Sequence, residues 1–378
     1  MPDRNRDAQA RLLRALAFAL AAAFAVPARA QFPLEIEGQQ FTVENDVLTS
    51  GNRDRAYTNG LRYAFLLRPT KDGEGTLRKD IEVGVGRYCE LLRDVFGSSG
   101  GRKHACNAQM GLAVGQLMYT PADIANRNFQ PNDQPWMGWS YLAAFVQLHE
   151  RADRHSKLPE DFTSTVEFAA GPVGRASLAK QGQRFWHNTL GMSPRDPLGW
   201  DNQLRGRLGW RASALHAARW RVPLDGLGDA FRRDGIGMDL VPHAGAALGN
   251  IRTALNAGAT ARLGWKLDDM PAGGVDTIPT IGEHRSSSGW SAYVFAGFDV
   301  RRIYREMALD DNEQRDRLNI VKRPWVDTWT AGFSVSYDAW RITYASNRRA
   351  AEWRYRDGVV PGRHNFGMIS LEWRAAFD

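Results

Sequence analysis

Cysteine is scarce in this chain, two residues in 378, and histidine is limited to eight. Neither thiol has metal-ligand spacing with a histidine. His104 lies close to Cys106, but one histidine and two cysteines fall short of a zinc site. Past residue 30 no run of about eighteen apolar residues occurs, which excludes a membrane-spanning helix. Basic clusters interleaved with aromatics are also missing, which argues against a nucleic-acid partner. No internal repeat, low-complexity tract or interdomain linker divides the chain, so one domain is expected.

What is present begins with arginines at 4, 6, 11 and 14, followed by the apolar run "ALAFALAAAFAV" and Ala28-Arg29-Ala30. This pattern predicts a secretory signal peptide over 1–30, leaving 31–378 as the mature chain. Removing the five arginines and two aspartates of the first thirty residues lowers the formal net charge from +7 to +4. Export to an oxidising compartment leads us to expect that Cys89 and Cys106 pair. With 13 Trp, 17 Phe, 10 Tyr and 37 Gly, the composition suits a sheet-rich wall with aromatic girdles, apolar on one face only.

Alternation with a period of two confirms that class. From Leu204 to Val222 the even positions are mostly apolar, whereas Arg205, Arg207, Arg211, Arg219 and Arg221 occupy odd ones. Ile251–Trp265, Trp329–Tyr337 and Ile369–Phe377 alternate likewise. Such runs exceed the about five or six residues of soluble strands and meet the about nine to eleven that a membrane strand needs. They predict an all-β, outer-membrane antiparallel barrel of about twelve strands. The strands are expected near 34–45, 58–68, 107–119, 136–149, 162–172, 203–222, 236–249, 251–265, 289–305, 325–338, 340–353 and 364–377. With the N-terminus in the periplasm, the connections 46–57, 120–135 and 173–202 face outward. The segment 69–106 becomes a periplasmic insertion with "RYCELLRDVF" as a short helix.

Within 173–202, "QRFWHNTLGM" reads as a rim helix with Gln183 and His187 four apart on one face. A lone helical histidine is more often structural. Asn45 and Asp46 precede a loop and suit a turn, and most arginines of the non-lipid face suit a solvated lumen.

The spaced combination of Glu44-Asn45-Asp46, Tyr57-Thr58-x-Gly60, Tyr119-Thr120-Pro121, Gly171-Pro172, Gln183, His187, Gly191 and Trp200 resembles the LpxR-type outer-membrane lipid A 3-O-deacylases. The resemblance covers essentially the mature chain. It implies a twelve-stranded barrel in the outer membrane of a Gram-negative bacterium. Its outward rim would hydrolyse the 3'-linked acyloxyacyl ester of lipid A, the lipid anchor of lipopolysaccharide, using Ca2+. Asn45, Thr58, Gln183 and His187 match catalytic positions, and Asp46 matches the metal-binding one. Two positions depart: a family carboxylate falls on Ser193, and a family lysine falls near Asn126 and Arg127, which are therefore the expected substrate-binding residues.

The residue types fit that chemistry in their own right. Hydrolysis of an ester needs a base near neutral pH, which imidazole supplies, and positive charge for the oxyanion. A calcium ion held by Asp46 and other oxygens would provide the second, and Arg127 suits a lipid phosphate. Outer-membrane lipids and lipopolysaccharide are the expected partners of a monomeric barrel. Two alternatives stay open: a diffusion porin with a basic lumen, and a phospholipase of another type with a serine nucleophile. Ser177 precedes His187 by ten residues, too far along a helix to touch it. If the carboxylate absent at Ser193 is replaced nearby, Asp201 is a better candidate than Asp196.

Overall fold

The computed structural model describes residues 34–49, 56–69, 87, 106–151, 161–190, 196–222, 235–267, 287–310 and 312–375. The expected signal segment, the helix and cysteine pairing of the 69–106 insertion, Gly191 and Ser193 lie outside the described residues.

Among the described residues fourteen strands follow in chain order: β1 (Leu34–Asn45), β2 (Ala56–Pro69), β3 (Cys106–Thr120), β4 (Met137–Arg151), β5 (Asp161–Val173), β6 (Arg207–Val222), β7 (Ile236–Gly249), β8 (Arg252–Trp265), β9 (Ser287–Glu306), β10 (Ile320–Lys322), β11 (Trp325–Asp338), β12 (Trp340–Arg349), β13 (Trp353–Tyr355) and β14 (His364–Arg374). All but β10 and β13 form a closed antiparallel barrel of twelve strands, with β1 paired to β14 from Gly38↔Arg374 to Asn45↔Gly367. The expected strands match closely, with two differences. The sixth begins at Arg207, because Gly199–Asn202 forms a 3-10 turn. The stretch expected at 340–353 leaves the barrel after Arg349, and Trp353–Tyr355 pairs with Ile320–Lys322 instead.

Alternation divides each strand between lipid and lumen. Leu142, Phe168, Leu208, Leu248 and Val294 project outward, and Trp220, Trp265, Trp290, Tyr337 and Trp340 form an exposed belt near the end that carries the chain termini. The inward face of β6 looks basic when read alone, but arginines that face the lumen meet carboxylates from other strands. Arg62 of β2 reaches Glu167 of β5 at 2.6 Å, and Arg211 of β6 approaches the other oxygen at 3.7 Å. Arg262 binds Asp239 through two nitrogens, at 2.8 and 2.6 Å, and Arg341 binds Glu372.

At the end opposite the termini the lumen is covered. Met307, Leu309, Leu318, Ile320 and Trp353 pack into one apolar cluster with Tyr57, Tyr119, Trp139 and Phe366 of the wall. Arg252 of β8 binds Glu306 at 2.5 Å and also reaches Tyr119 Oη of β3 at 3.4 Å, linking opposite sides of the barrel.

Candidate active site

The connection from β5 to β6 carries an α-helix, α1 (Ala179–Leu190). It lies against the outside of the wall. On β3, Leu112 and Val114 are 52% and 47% exposed, whereas Met118 and Thr120, higher on the same face, are fully covered. Helix α1 and the turns flanking it provide that cover. Ala179 clusters with Met118, Ile124, Trp136 and Trp200, and Trp186 packs against the Phe41–Val43 cluster of β1, as Leu61 and Tyr63 of β2 also do. Gly138 of β4 makes the seat possible, since a Cβ there would stand 2.2 Å from Ala179 Cβ.

The helix turns Ala179, Gln183 and His187 inward, each buried, while Gln181, Arg184, Phe185 and Asn188 face outward. This is the spacing of one helical face. Gln183 accepts a hydrogen bond from Trp200 Nε1 at 2.7 Å, and its Nε2 has no partner although the residue is 2% exposed. The expected pair of Gln183 and His187 is thus brought to the wall by a helix, as its spacing predicts.

Beside it, β1 runs into a 3-10 turn at Asp46–Leu48, capped by Asn45 Oδ1, which accepts from Val47 N–H at 2.8 Å. The turn-making reading of Asn45 is therefore correct. It also leaves the Asp46 carboxylate buried at the top of the wall. A bulge in β2 between Tyr57 and Asn59 sends Tyr57 into the lumen, where its hydroxyl donates to Glu44. Past the bulge, Asn59 pairs with Asn45 and Met118 on the outward face, and Thr58 Oγ1 lies 2.7 Å from Thr120 Oγ1. Asn59 is buried with neither amide atom hydrogen-bonded. Sequence reasoning passed over it, although it stands inside the Tyr57-Thr58-x-Gly60 pattern.

The remaining expected residues lie higher. Asn126 turns its Oδ1 onto Asn128 N–H at 2.9 Å. Arg127 is exposed, and its carbonyl accepts from Asn202 Nδ2 at 2.8 Å. Asp201 pairs with Lys180 at 3.0 Å, and that hydrogen bond holds its carboxyl below the ordinary carboxylate range. Being exposed, Asp201 is not placed to orient the buried His187. Asp196 is exposed as well. Ser177 is buried and donates to the Gly174 carbonyl at 2.6 Å, which makes it a turn residue rather than a nucleophile.

Among the described residues no three His, Cys, Asp or Glu side chains cluster as a metal site. The oxygen donors gathered here are of another kind: one buried carboxylate, the unbonded Asn59 amide oxygen and two threonine hydroxyls. That mixture fits a hard divalent cation, which takes oxygen ligands from carboxylates, amide carbonyls and water.

Among known proteins, the solved structure of LpxR from Salmonella typhimurium superposes with a TM-score of 0.61 at 16% identity, covering 89% of this chain and all of that one. The β domain of the Bordetella autotransporter BrkA aligns more loosely, with a TM-score of 0.43 at 8% identity over 90% of this chain and all of that one. No curated protein sequence matches the chain. The family model of outer membrane protein LpxR matches residues 15–375. The chain, an outer-membrane barrel of twelve strands, therefore belongs to the LpxR family.

Proposed function

We propose that this protein is a lipid A 3-O-deacylase, a calcium-dependent hydrolase of the 3'-linked acyloxyacyl ester at the outer leaflet. One observation carries the reading: the polar side chains Gln183, His187, Thr58 and Asn59 are buried where α1 meets the lipid-facing wall, the side from which an acyl ester would approach. Family membership supports the same class of enzyme.

In this reading His187 accepts a proton from water, whose oxygen attacks the ester carbonyl. The imidazolium then returns the proton to the departing sugar oxygen, releasing a hydroxylated sugar and a carboxylic acid. Gln183 contributes its unbonded Nε2–H to an oxygen of the reacting ester. The carboxylate of Asp46 and the oxygens of Thr58, Thr120 and Asn59 would hold Ca2+, with Asn45 shaping the turn that presents Asp46. When bound, the ion supplies positive charge for the tetrahedral oxyanion. Arg127 and Asn126, on the exposed loop above, would receive a lipid phosphate.

The test is mass spectrometry of lipid A from cells expressing the protein. Loss of one acyloxyacyl unit is expected with the parent chain, and none with His187→Ala, although that variant should still insert as a heat-modifiable barrel because α1 contributes nothing to the strand ladder. Purified enzyme should lose activity on chelation and regain it with calcium, and Asp46→Asn should blunt the recovery. Full activity of His187→Ala would refute the base assignment, and full activity in excess chelator would refute the metal.

A further inference from the structure

Above α1 the outer end of the barrel holds an open cleft of ≈ 710 Å³ that the ester chemistry does not use. Arg175, Arg205, Gln203, Gln314, Arg317 and Phe129 line it. Its two carboxylates are already engaged. Glu313 accepts from Arg207 and from Arg205 N–H, and Asp201 holds Lys180. The guanidinium groups of Arg175, Arg205 and Arg317 form no salt bridge among the described residues, and Arg175 acts on the Asp201 carboxylate only at longer range. The cleft is therefore an excess of positive charge facing water.

Its neutral groups point to the ligand more narrowly. Gln314 is 7% exposed and donates through Nε2 to the Asn202 carbonyl at 2.8 Å, while its Oε1 has no hydrogen-bond partner. Gln203 Oε1 likewise has none. Buried acceptors without donors call for a hydroxyl-rich ligand, and the Arg317 guanidinium stacked 4.2 Å over the Phe129 ring gives a flat surface for a sugar face. Arginines supply paired N–H groups for phosphate or carboxylate.

We propose that the cleft binds an acidic saccharide, a sugar bearing phosphate or carboxylate groups, and that this saccharide is the polar head of the glycolipid held at α1. The second half rests on the function proposed above. Continuity supports it: Trp200, which fixes Gln183, leads directly into the cleft-lining Asp201, Asn202 and Gln203. A glycolipid with its acyl chains on the wall would extend its sugars over this segment. The cleft then distinguishes sugar-extended lipid A from the bare lipid.

The experiment uses the purified full-length barrel in detergent and two probes, acidic oligosaccharide released from lipopolysaccharide and the same oligosaccharide after dephosphorylation and carboxyl reduction. Calorimetric titration should show binding of the acidic probe. Binding should be weakened about tenfold or more by the neutralised probe, and again by combined Arg175→Gln, Arg205→Gln and Arg317→Gln. Gln314→Leu, which keeps the charge, should weaken binding of both probes. Equal affinity for the two probes would overturn the acidic assignment, and full competition by inorganic phosphate at matched concentration would overturn the saccharide. A parallel assay compares hydrolysis of sugar-extended and bare lipid A. The parent should prefer the extended form, and the triple arginine variant should lose only that preference. Oligosaccharide binding without ester hydrolysis would sink the proposed activity and leave the cleft standing. Hydrolysis with no oligosaccharide binding and no preference would do the reverse.

Discussion

An indole N–H can only donate, so the 2.7 Å contact from Trp200 fixes which end of the Gln183 amide faces it. The Nε2 group must then point the other way, into the space between α1 and the wall, where it is buried without a partner. Trp200→Phe keeps an aromatic ring in the cluster of Met118, Ile124, Trp136 and Ala179 but removes the donor. It should lower turnover about tenfold, the scale of one buried hydrogen bond, with little change in KM or in heat-modifiable folding. Steady-state kinetics on micellar lipid A would check this, and an unchanged turnover would separate Gln183 from the chemistry. The shared helical face of Gln183 and His187 was legible from their spacing, whereas their place in a site came only from the family pattern. Trp200 was legible only as part of a family pattern, because nothing local links it to a residue seventeen positions earlier. Asn59 was not legible at all. Strict alternation puts Tyr57 and Asn59 on one face, and only the bulge in β2 separates them.

At the scale of the element, α1 is held among the described residues by apolar contact, by the buried hydrogen bond from Trp200 to Gln183 and by the exposed ion pair of Lys180 with Asp201. Such pairs contribute little in water. The Asp201 carboxyl is depressed by its bond to Lys180, so its contribution exists above the ordinary carboxylate range and fades as pH falls through the lowered value. Asp201→Asn should therefore leave activity at neutral pH within about twofold of the parent. Any difference in hydrogen exchange along α1 should vanish at acid pH, where the parent carboxyl is protonated too. Loss of activity at neutral pH would instead return Asp201 to the role of replacement for the missing family carboxylate. The helix itself could be read from sequence, because its breakers and its histidine interrupt a chain of alternating strands. Its seat could not be read, since that depends on Gly138 forty residues away and on contacts with three other strands.

For the whole molecule, alternation made the twelve strands visible because lipid imposes the same demand on every one of them. The lumen was less visible. A strand such as β6 shows Arg207, Arg211 and Arg219 on one face, and this suggested a basic channel; their partners Glu313, Glu167 and Asp161 come from distant parts of the chain. Among the described residues, paired charges cross the interior below a mouth packed with Met307, Leu309, Ile320 and Trp353, which disfavours an open anion channel. The protein should therefore show no steady single-channel conductance in a planar bilayer, and a stable anion-selective current would revive the porin reading. Glu167 gives that experiment its internal control. Glu167→Gln removes the charge facing Arg62 and Arg211, whose guanidinium groups are both buried. Breaking a buried pair in this way costs about 3–5 kcal/mol, so the heat-modifiable transition should move to lower temperature. Activity below that transition should persist, because α1 and its polar groups lie on the opposite face of the wall. If Glu167→Gln opened a conductance without lowering the transition, the pair would be a gate rather than a brace.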